Sequence, residues 1–264
     1  MVETSAAVEK VIERDEAQFK RLRIYNGIAG VFHLAQGLAI LVLSSNNSVP
    51  ITTSYNGSPV NLPLPHQIGT LVLGPLVAAF FFISALDHFL LVMPGIYEWY
   101  VKNLRKGANY ARWVEYAFSA SLMIAVIAML SGIFDLGTLI LLFFLNMMMI
   151  LFGWMMELHN QTTRTTNWTA FYFGCLAGIV PWVVIALYFF SAVTNPVNRV
   201  PTFVYFILPI LFVFFNIFAL NMVLQYKKVG KWRDYLFGEK VYIILSLLAK
   251  SALAWQVFAG TLRK

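Results

Sequence analysis

Seven long apolar runs dominate the sequence, each of about 20 residues, which is enough to cross a lipid bilayer as an α-helix. The chain has 264 residues, of which 59% are hydrophobic and only 12% are charged, and this composition excludes a soluble globular domain. A bilayer core leaves backbone polar groups without water, so a spanning segment must satisfy them internally. The sequence therefore predicts an all-α membrane protein, a bundle of seven transmembrane helices near 24–45, 68–94, 108–132, 135–157, 168–193, 201–226 and 238–261.

The segment before the first run, residues 1–22, carries charges of both signs and spaces its apolar residues as an amphipathic helix does. We expect either a short helix on the cytoplasmic membrane surface or an extension of the first span, with a frayed tail as the alternative. The chain is accordingly divided into this N-terminal segment and a seven-helix domain over residues 23–264.

The connection after the first span, residues 46–66, contains no Lys or Arg. It holds an Asn56-Gly57 pair between two stretches of strand-forming residues, a strong signal for a tight hairpin. Pro59 and Pro63 restrict such a hairpin to an edge-like ribbon. We therefore predict a short β-hairpin in the first extracellular loop.

The basic residues indicate how the chain is oriented in the membrane. If the N-terminus is cytoplasmic, fourteen of the 19 Lys and Arg residues fall in inside segments and three fall outside; Arg112 and Lys250 lie within spans. Cytoplasmic loops carry the excess of Lys and Arg in membrane proteins. The sequence therefore predicts a multi-pass protein of the cell membrane with a cytoplasmic N-terminus and an extracellular C-terminus.

Several classes of function lack support in the sequence. The basic residues flank apolar spans and form no single patch, so they indicate orientation among membrane lipids and not nucleic-acid binding. The single cysteine, Cys175, provides neither a disulfide framework nor a thiolate metal site. No nucleophile–base pair, metal cluster or Gly-rich phosphate loop is evident. We expect no metal, no catalytic residues and no enzymatic activity, although a buried lysine could in principle serve Schiff-base catalysis.

One lysine, Lys250, lies in the middle of the last apolar run. A charged amine at this depth costs roughly 2.5–3.5 kcal/mol on insertion scales, so such a residue suggests a function. A buried amine is also easily deprotonated, and a neutral amine can condense with an aldehyde to form a Schiff base. Ser246 lies one turn earlier on the same helix face. We predict that Lys250 carries a covalently bound retinal.

A protonated Schiff base in hydrocarbon needs a nearby anion, and Glu115 is the best-placed candidate. The third and seventh spans run in the same direction, and helical side chains lean toward the helix N-terminus, so Lys250 leans toward Glu115. The alternative is that Glu115 pairs locally with Arg112, three residues earlier. Asp87 also lies deep in a span, and we interpret it as structural.

Other polar residues are predicted at similar depth. Ser84 and His88 share a face of the second span, Ser119 lies one turn after Glu115, and His33 lies in the first span. The two histidines either pack between helices or hydrogen-bond to the carboxylate and tune its proton affinity. A retinal slot is expected to be lined by aromatic residues and Met. The candidates are Trp113, Tyr116, Met149, Tyr205, Phe212, Phe215 and Trp255.

Two short stretches resemble the microbial rhodopsins. Arg112-Trp-Val-Glu115-Tyr is similar to their Arg-Tyr-x-Asp-Trp, and Ser246-Leu-Leu-Ala-Lys250 is similar to their Asp-x-x-x-Lys. The Glu in the third span, the Ser before the lysine, the inverted charge pattern and the hairpin-bearing first loop together resemble the heliorhodopsins. The stretch Ser84-Ala-Leu-Asp-His88 also resembles this family, and the similarity extends over all seven spans.

This resemblance implies all-trans retinal as a protonated Schiff base on Lys250, with Glu115 as its counterion. It also implies a homodimer to which the first extracellular loop contributes, a slow photocycle, and a sensing or regulatory role. The further residues that it implies around the chromophore are Ser84, Ser119 and Ser246 at the Schiff base, His33 and His88 in a polar cytoplasmic-side cavity, and Asn146 at a polar contact.

Light-driven ion transport or channel activity is the main alternative function. Ordinary proton pumps place a donor carboxylate eleven residues after the counterion, and Val126 stands there in this chain. Their second carboxylate near the Schiff base is replaced here by Ser246. We therefore expect light sensing without pumping. The basic cytoplasmic segments either serve only as topology anchors or also offer a surface to an unidentified signalling partner.

Overall fold

The structure is a computed structural model that describes residues 2–55, 64–194 and 204–262, with side chains of the first helix from Asp15 onward. Within these ranges, seven helices are long and apolar enough to span a bilayer, which confirms the predicted bundle. The helices are α1 (Val2–Leu43), α2 (Leu73–Leu90), α3 (Ile96–Leu104), α4 (Tyr110–Leu130), α5 (Leu136–Asn160), α6 (Thr169–Thr194), α7 (Val204–Tyr226) and α8 (Tyr235–Val257); all but α3 are candidate spans.

The first helix is unusually long because α1 runs without a break from Val2 to Leu43. Of the expectations for the N-terminal segment, the structure shows the extension of the first span. The side chains of Phe19 and Leu22 are buried against Tyr100 and Leu104 on α3. This packing holds the segment just before the first apolar run against α3 at one end of the bundle.

An antiparallel hairpin connects α1 and α2. Strand β1 (Ser48–Tyr55) pairs with β2 (Leu64–Val72), with an irregular register between Ile51 and Thr52. The backbone N–H of Thr52 also donates to the Phe134 carbonyl at 2.9 Å, which fixes the hairpin to the start of α5. The predicted hairpin is confirmed, while its Asn56-Gly57 turn and both prolines lie outside the described residues.

The hairpin corrects the predicted start of the second span. Residues 68–72 were expected to be helical, but they belong to β2, and α2 begins at Leu73. Their backbone groups are satisfied by the ladder with β1, in which Leu71 faces Val49 and Thr70 faces Pro50. An apolar run alone does not distinguish a strand that leads into a helix from the helix itself.

A short helix, α3, occupies the connection between the second and third spans and was not predicted. It begins after Gly95, whose positive φ of 82° suits a residue without Cβ. The Arg23 guanidinium donates to the Val92 carbonyl just before it, with Nε at 3.0 Å. These contacts close the C-terminal end of α2 against α1.

Among the described spans, α4 is the most deeply buried, since 67% of its most apolar stretch lies inside the protein. Its apolar residues, including Ile124 and Val126, belong to a large core cluster that also contains Phe80, Ile185 and Leu253 from neighbouring spans. The half of α4 before this apolar stretch carries the buried polar residues Arg112, Glu115, Ser119 and Ser121. This helix therefore brings the candidate functional residues to the centre of the bundle.

Candidate functional site

The centre of the site is an ion pair between the seventh and third spans. The Lys250 Nζ atom on α8 lies 3.3 Å from Glu115 Oε1 on α4. Both residues are almost fully buried, at 3% and 6% exposure. Removing one partner of such a buried pair costs about 3–5 kcal/mol, because the other charge is left uncompensated. The geometry brings together the two residues that the sequence predicted as partners.

Two serines complete the surroundings of this pair. The Lys250 amine donates to Ser246 Oγ at 2.8 Å. On the other side, the Ser84 hydroxyl donates to Glu115 Oε1 at 2.6 Å, so an oriented donor supports the carboxylate. Ser119 is fully buried, and its hydroxyl has no hydrogen-bond partner among the described residues. Ser119 therefore leaves an unused donor on the helix that carries Glu115.

Arg112 does not pair with Glu115, so the alternative interpretation of Glu115 is not seen. The guanidinium instead lies 3.1 Å from Glu157 and 3.3 Å from Glu239. Glu115 is consequently left to Lys250. The sequence did not identify Glu157 or Glu239 as functional, because both stand near the ends of predicted spans.

The two histidines lie together between α1 and α2. Their rings are stacked, with centroids 5.3 Å apart and an interplanar angle of 9°. His88 Nδ1 lies 2.8 Å from Asn26 Oδ1, whereas neither ring nitrogen of His33 has a partner among the described residues. Among the described residues, neither imidazole forms a hydrogen bond to Glu115. The histidines thus form a buried polar pair that a bound water could connect to the carboxylate.

An elongated apolar cavity of about 410 Å³ extends from the lysine between α4, α5, α6, α7 and α8. This volume falls in the range of roughly 300–1,000 Å³ that is typical of small-ligand pockets. Lys250 and Ser246 form part of its wall. The predicted pocket residues that line it are Trp113, Tyr116, Met149, Phe212 and Phe215.

Two glycines make room for this wall. A Cβ atom at Gly153 would overlap the Trp113 ring, and a Cβ atom at Gly178 would overlap the Met149 thioether. Because glycine has no Cβ atom, the Trp113 and Met149 side chains can occupy this space along the cavity.

Three predicted pocket residues do not line the cavity. Trp255 is 39% exposed, and its indole donates to Gln36. It follows Lys250 by five residues, which places it about 140° around the helix axis from the lysine. Tyr205 is 43% exposed and lies roughly 10 Å along α7 from Phe212. Asn146 is buried, but its amide turns toward Ser121 Oγ at 3.2 Å, and its Oδ1 has no partner among the described residues.

Several cavity residues were missed by the sequence interpretation. Tyr242 stands four residues before Ser246 and eight before Lys250, so helical periodicity alone could have identified it. Phe218 and Met222 continue the face of α7 that Phe215 begins, at the same kind of spacing. The other lining residues that the sequence did not single out for the cavity are Ala120, Met123, Ile150, Gly153, Phe171, Gly174, Cys175, Gly178, Ile179, Trp182, Asn216, Ala219 and Ala249.

A bundle of seven spans, with a buried lysine at the wall of an aromatic cavity and a carboxylate paired with that lysine, is the arrangement of a retinal-binding rhodopsin. Comparison with known families agrees with this assignment: the heliorhodopsin family model matches residues 22–262, so the chain belongs to the heliorhodopsins. Membership implies a retinal chromophore in a multi-pass membrane protein. A search of curated proteins found no match for the chain.

Proposed function

We propose that this heliorhodopsin is a light sensor in which all-trans retinal forms a protonated Schiff base with Lys250 and Glu115 is the counterion. The observation that carries the proposal is the 3.3 Å separation of Lys250 Nζ and Glu115 Oε1 beside an apolar cavity. A buried cation is tolerated there only because the carboxylate lies next to it.

The residues around the cavity fit a long polyene with one polar end. The cavity wall is mostly aromatic and aliphatic, while its polar groups include the Lys250 amine and the Ser246 hydroxyl. Retinal bound there would supply absorption of visible light and isomerisation. Trp113, Tyr116 and Phe215 would hold the polyene and exclude water from the imine end.

The proton at the nitrogen of Lys250 is held by groups of this chain. Ser246 Oγ accepts from Nζ at 2.8 Å, and the Tyr116 ring lies 5.2 Å from Nζ, where its electrons stabilise a cation. Glu115 is the carboxylate in contact with Nζ among the described residues, so it is the group of this chain that would accept that proton. Ser84 keeps that carboxylate in place through its 2.6 Å hydrogen bond.

The surroundings of the pair favour sensing over ion pumping. Val126, which stands at the donor position of ordinary pumps, is fully buried in the apolar core. Ser246 stands where those pumps have their second carboxylate near the Schiff base, and its hydroxyl accepts from Lys250 Nζ. Neither position thus offers a carboxylate for proton transfer, as expected of light sensing without transport.

The rest of the proposal concerns the cellular setting. The excess of Lys and Arg on one side supports a cytoplasmic N-terminus and an extracellular C-terminus. The exposed strand β2 leaves a backbone edge on the extracellular hairpin, which suits a homodimer contact. On the cytoplasmic side, Lys227, Lys228 and Lys231 are exposed next to α7 and could bind an acidic surface of a signalling partner.

A visible spectrum tests the proposal. The full chain is expressed with all-trans retinal, next to Lys250→Ala and to Lys250→Arg, which keeps the charge but cannot form the imine. We expect a visible absorption band in the wild type and none in either variant. Lys240→Ala, a lysine outside the cavity, is the matched control and should keep the band. A band that persists in Lys250→Ala would contradict the assignment of the attachment site.

A further inference from the structure

A second group of buried charges lies toward the cytoplasmic side of the retinal site. Its centre is Arg112, which is 6% exposed and precedes Glu115 by one turn of α4. The guanidinium contacts Glu157 on α5 and Glu239 on α8, whose exposures are 4% and 1%. We call Arg112, Asn109, Glu157, Glu239 and Tyr235 the arginine cluster.

The two carboxylates of the arginine cluster are supplied with several donors. Glu157 accepts from the Arg112 guanidinium, the Trp113 indole, the Asn109 backbone N–H at 3.0 Å and the Tyr235 hydroxyl at 3.0 Å. Glu239 accepts from the Asn109 amide at 2.6 Å and from the Gln225 amide at 3.2 Å. Asn109 therefore links the two carboxylates, and four helices converge on one buried site.

The charges of this cluster do not balance if both carboxylates are ionised. Among the described residues, Arg112 is the one cation in contact with them, since Lys240 lies over the Tyr25 ring and Lys250 pairs with Glu115. The other titratable groups that interact with the carboxylates in this part of the chain are tyrosines, each neutral as a phenol: Tyr100 from α3, Tyr116 from α4, Tyr226 from α7, and Tyr235 and Tyr242 from α8. One carboxylate charge is thus left uncompensated inside the protein, which is strongly unfavourable.

We infer that the arginine cluster is a second proton-binding site, in which Glu157 and Glu239 share one proton in the dark. Both carboxylates contact the same guanidinium and the same asparagine, and when two such groups interact, the first proton is lost from the pair and not from an independent residue. With one proton bound, one positive and one negative charge remain and the buried site is neutral. This site is separate from the Lys250–Glu115 pair.

The arginine cluster shares two residues with the wall of the retinal cavity. Trp113 lines the cavity and donates its indole N–H to Glu157. Tyr242 also lines the cavity, and its ring centroid lies 3.9 Å from the Arg112 guanidinium. A movement of either ring changes the donors and charges around the bound proton. Rearrangement of the cavity wall can therefore change the proton affinity of a site that lies next to the cytoplasmic ends of α4 and α8.

The test is infrared spectroscopy of the purified full chain in the dark, recorded from about pH 5 to about pH 9, above the range in which a free carboxyl titrates. The chain carries Asp87→Asn throughout, so that this other carboxyl within a span contributes no band of its own. We expect a carbonyl band of a protonated carboxyl that shifts in heavy water. Glu157→Gln, Glu239→Gln or both should abolish this band. Asp135→Asn, which removes the carboxyl that caps the start of α5, is the matched control and should leave it in place.

A second pair of variants separates proton binding from a merely structural role. Tyr235→Phe removes one donor to Glu157 and destabilises the ionised form, so the band should persist to a pH about one unit higher. Tyr226→Phe removes a nearby hydroxyl that is not bonded to either carboxylate and should leave the midpoint unchanged. A band retained in both Gln variants, or no such band in the wild type at any pH, would overturn the inference. Because these spectra need no retinal, failure of the light-sensing proposal would not affect them.

Discussion

The Ser84 hydroxyl on α2 donates to Glu115 Oε1 on α4 at 2.6 Å, and the same oxygen lies 3.3 Å from Lys250 Nζ on α8. Three helices therefore meet at a single carboxylate oxygen. Ser84 and Lys250 hold that oxygen from two sides. The loss of either contact would therefore change the chemistry of the site.

The first prediction concerns this serine. Ser84→Ala removes a hydrogen bond to a charged group, worth about 1.5–3 kcal/mol, and leaves the ionised carboxylate less stabilised. The free energy of unfolding should therefore fall by about 1.5–3 kcal/mol relative to the wild type. Thermal loss of the visible band measures this. Ser131→Ala is the control, because that hydroxyl bonds to the Ile127 carbonyl away from the site.

The second prediction concerns the space in the cavity. In Gly178→Ala, the added methyl overlaps the Met149 side chain, which lines the cavity, and overpacking of this kind costs about 1–3 kcal/mol. We expect the ratio of visible to protein absorbance to fall after reconstitution with retinal. Gly27→Ala should leave the ratio unchanged, since the nearest atom to its new methyl is 4.0 Å away. Equal loading of both variants would argue against this position for the chromophore.

The third prediction concerns the closure of the C-terminal end of α2 against α1. Arg23 donates to the Val92 carbonyl and its guanidinium lies 4.3 Å from the centre of the Tyr97 ring. Arg23→Ala should lower the free energy of unfolding by about 1–3 kcal/mol, because a partly buried carbonyl loses its charged donor. Thermal loss of the visible band measures the change, and Arg21→Ala, an exposed neighbour, is the control. Identical melting of the two variants would contradict the role of Arg23.

The fourth prediction concerns transport. Cells that express the protein should show no sustained pH change on illumination, because apolar Val126 stands where pumps place a carboxylate. The measurement is the pH of an illuminated cell suspension, with and without a protonophore. A robust signal that the protonophore abolishes would favour the pumping alternative.

Much of the bundle could be predicted because the length of an apolar run is a local property of the sequence. The pairing of Glu115 with Lys250 was also predictable, since both spans run in one direction and helical side chains lean toward the helix N-terminus. The helix α3 was missed because the short segment Ile96–Leu104 is amphipathic and not long enough to resemble a span.

The arginine cluster could not be predicted from the sequence. Glu157 and Glu239 stand near the ends of their spans, where a carboxylate is normally solvated, and only the convergence of α4, α5 and α8 buries them. The cavity wall was predicted only in part, because whether a residue lines the cavity depends on the direction in which its side chain faces. Aromatic residues are so frequent in this chain, at 16%, that residue type alone did not separate Trp182, which lines the cavity, from Trp255, which does not.

The most direct test of the light-sensing account is the absorption maximum of Glu115→Gln reconstituted with all-trans retinal. Glutamine keeps the shape of the side chain but removes the negative charge beside Lys250, so the ground-state cation is no longer stabilised by its counterion. We predict that the maximum shifts to the red, whereas Glu98→Gln, on the short helix α3, leaves it unchanged. An unchanged maximum in Glu115→Gln would show that another group neutralises the Schiff base and would contradict the central claim.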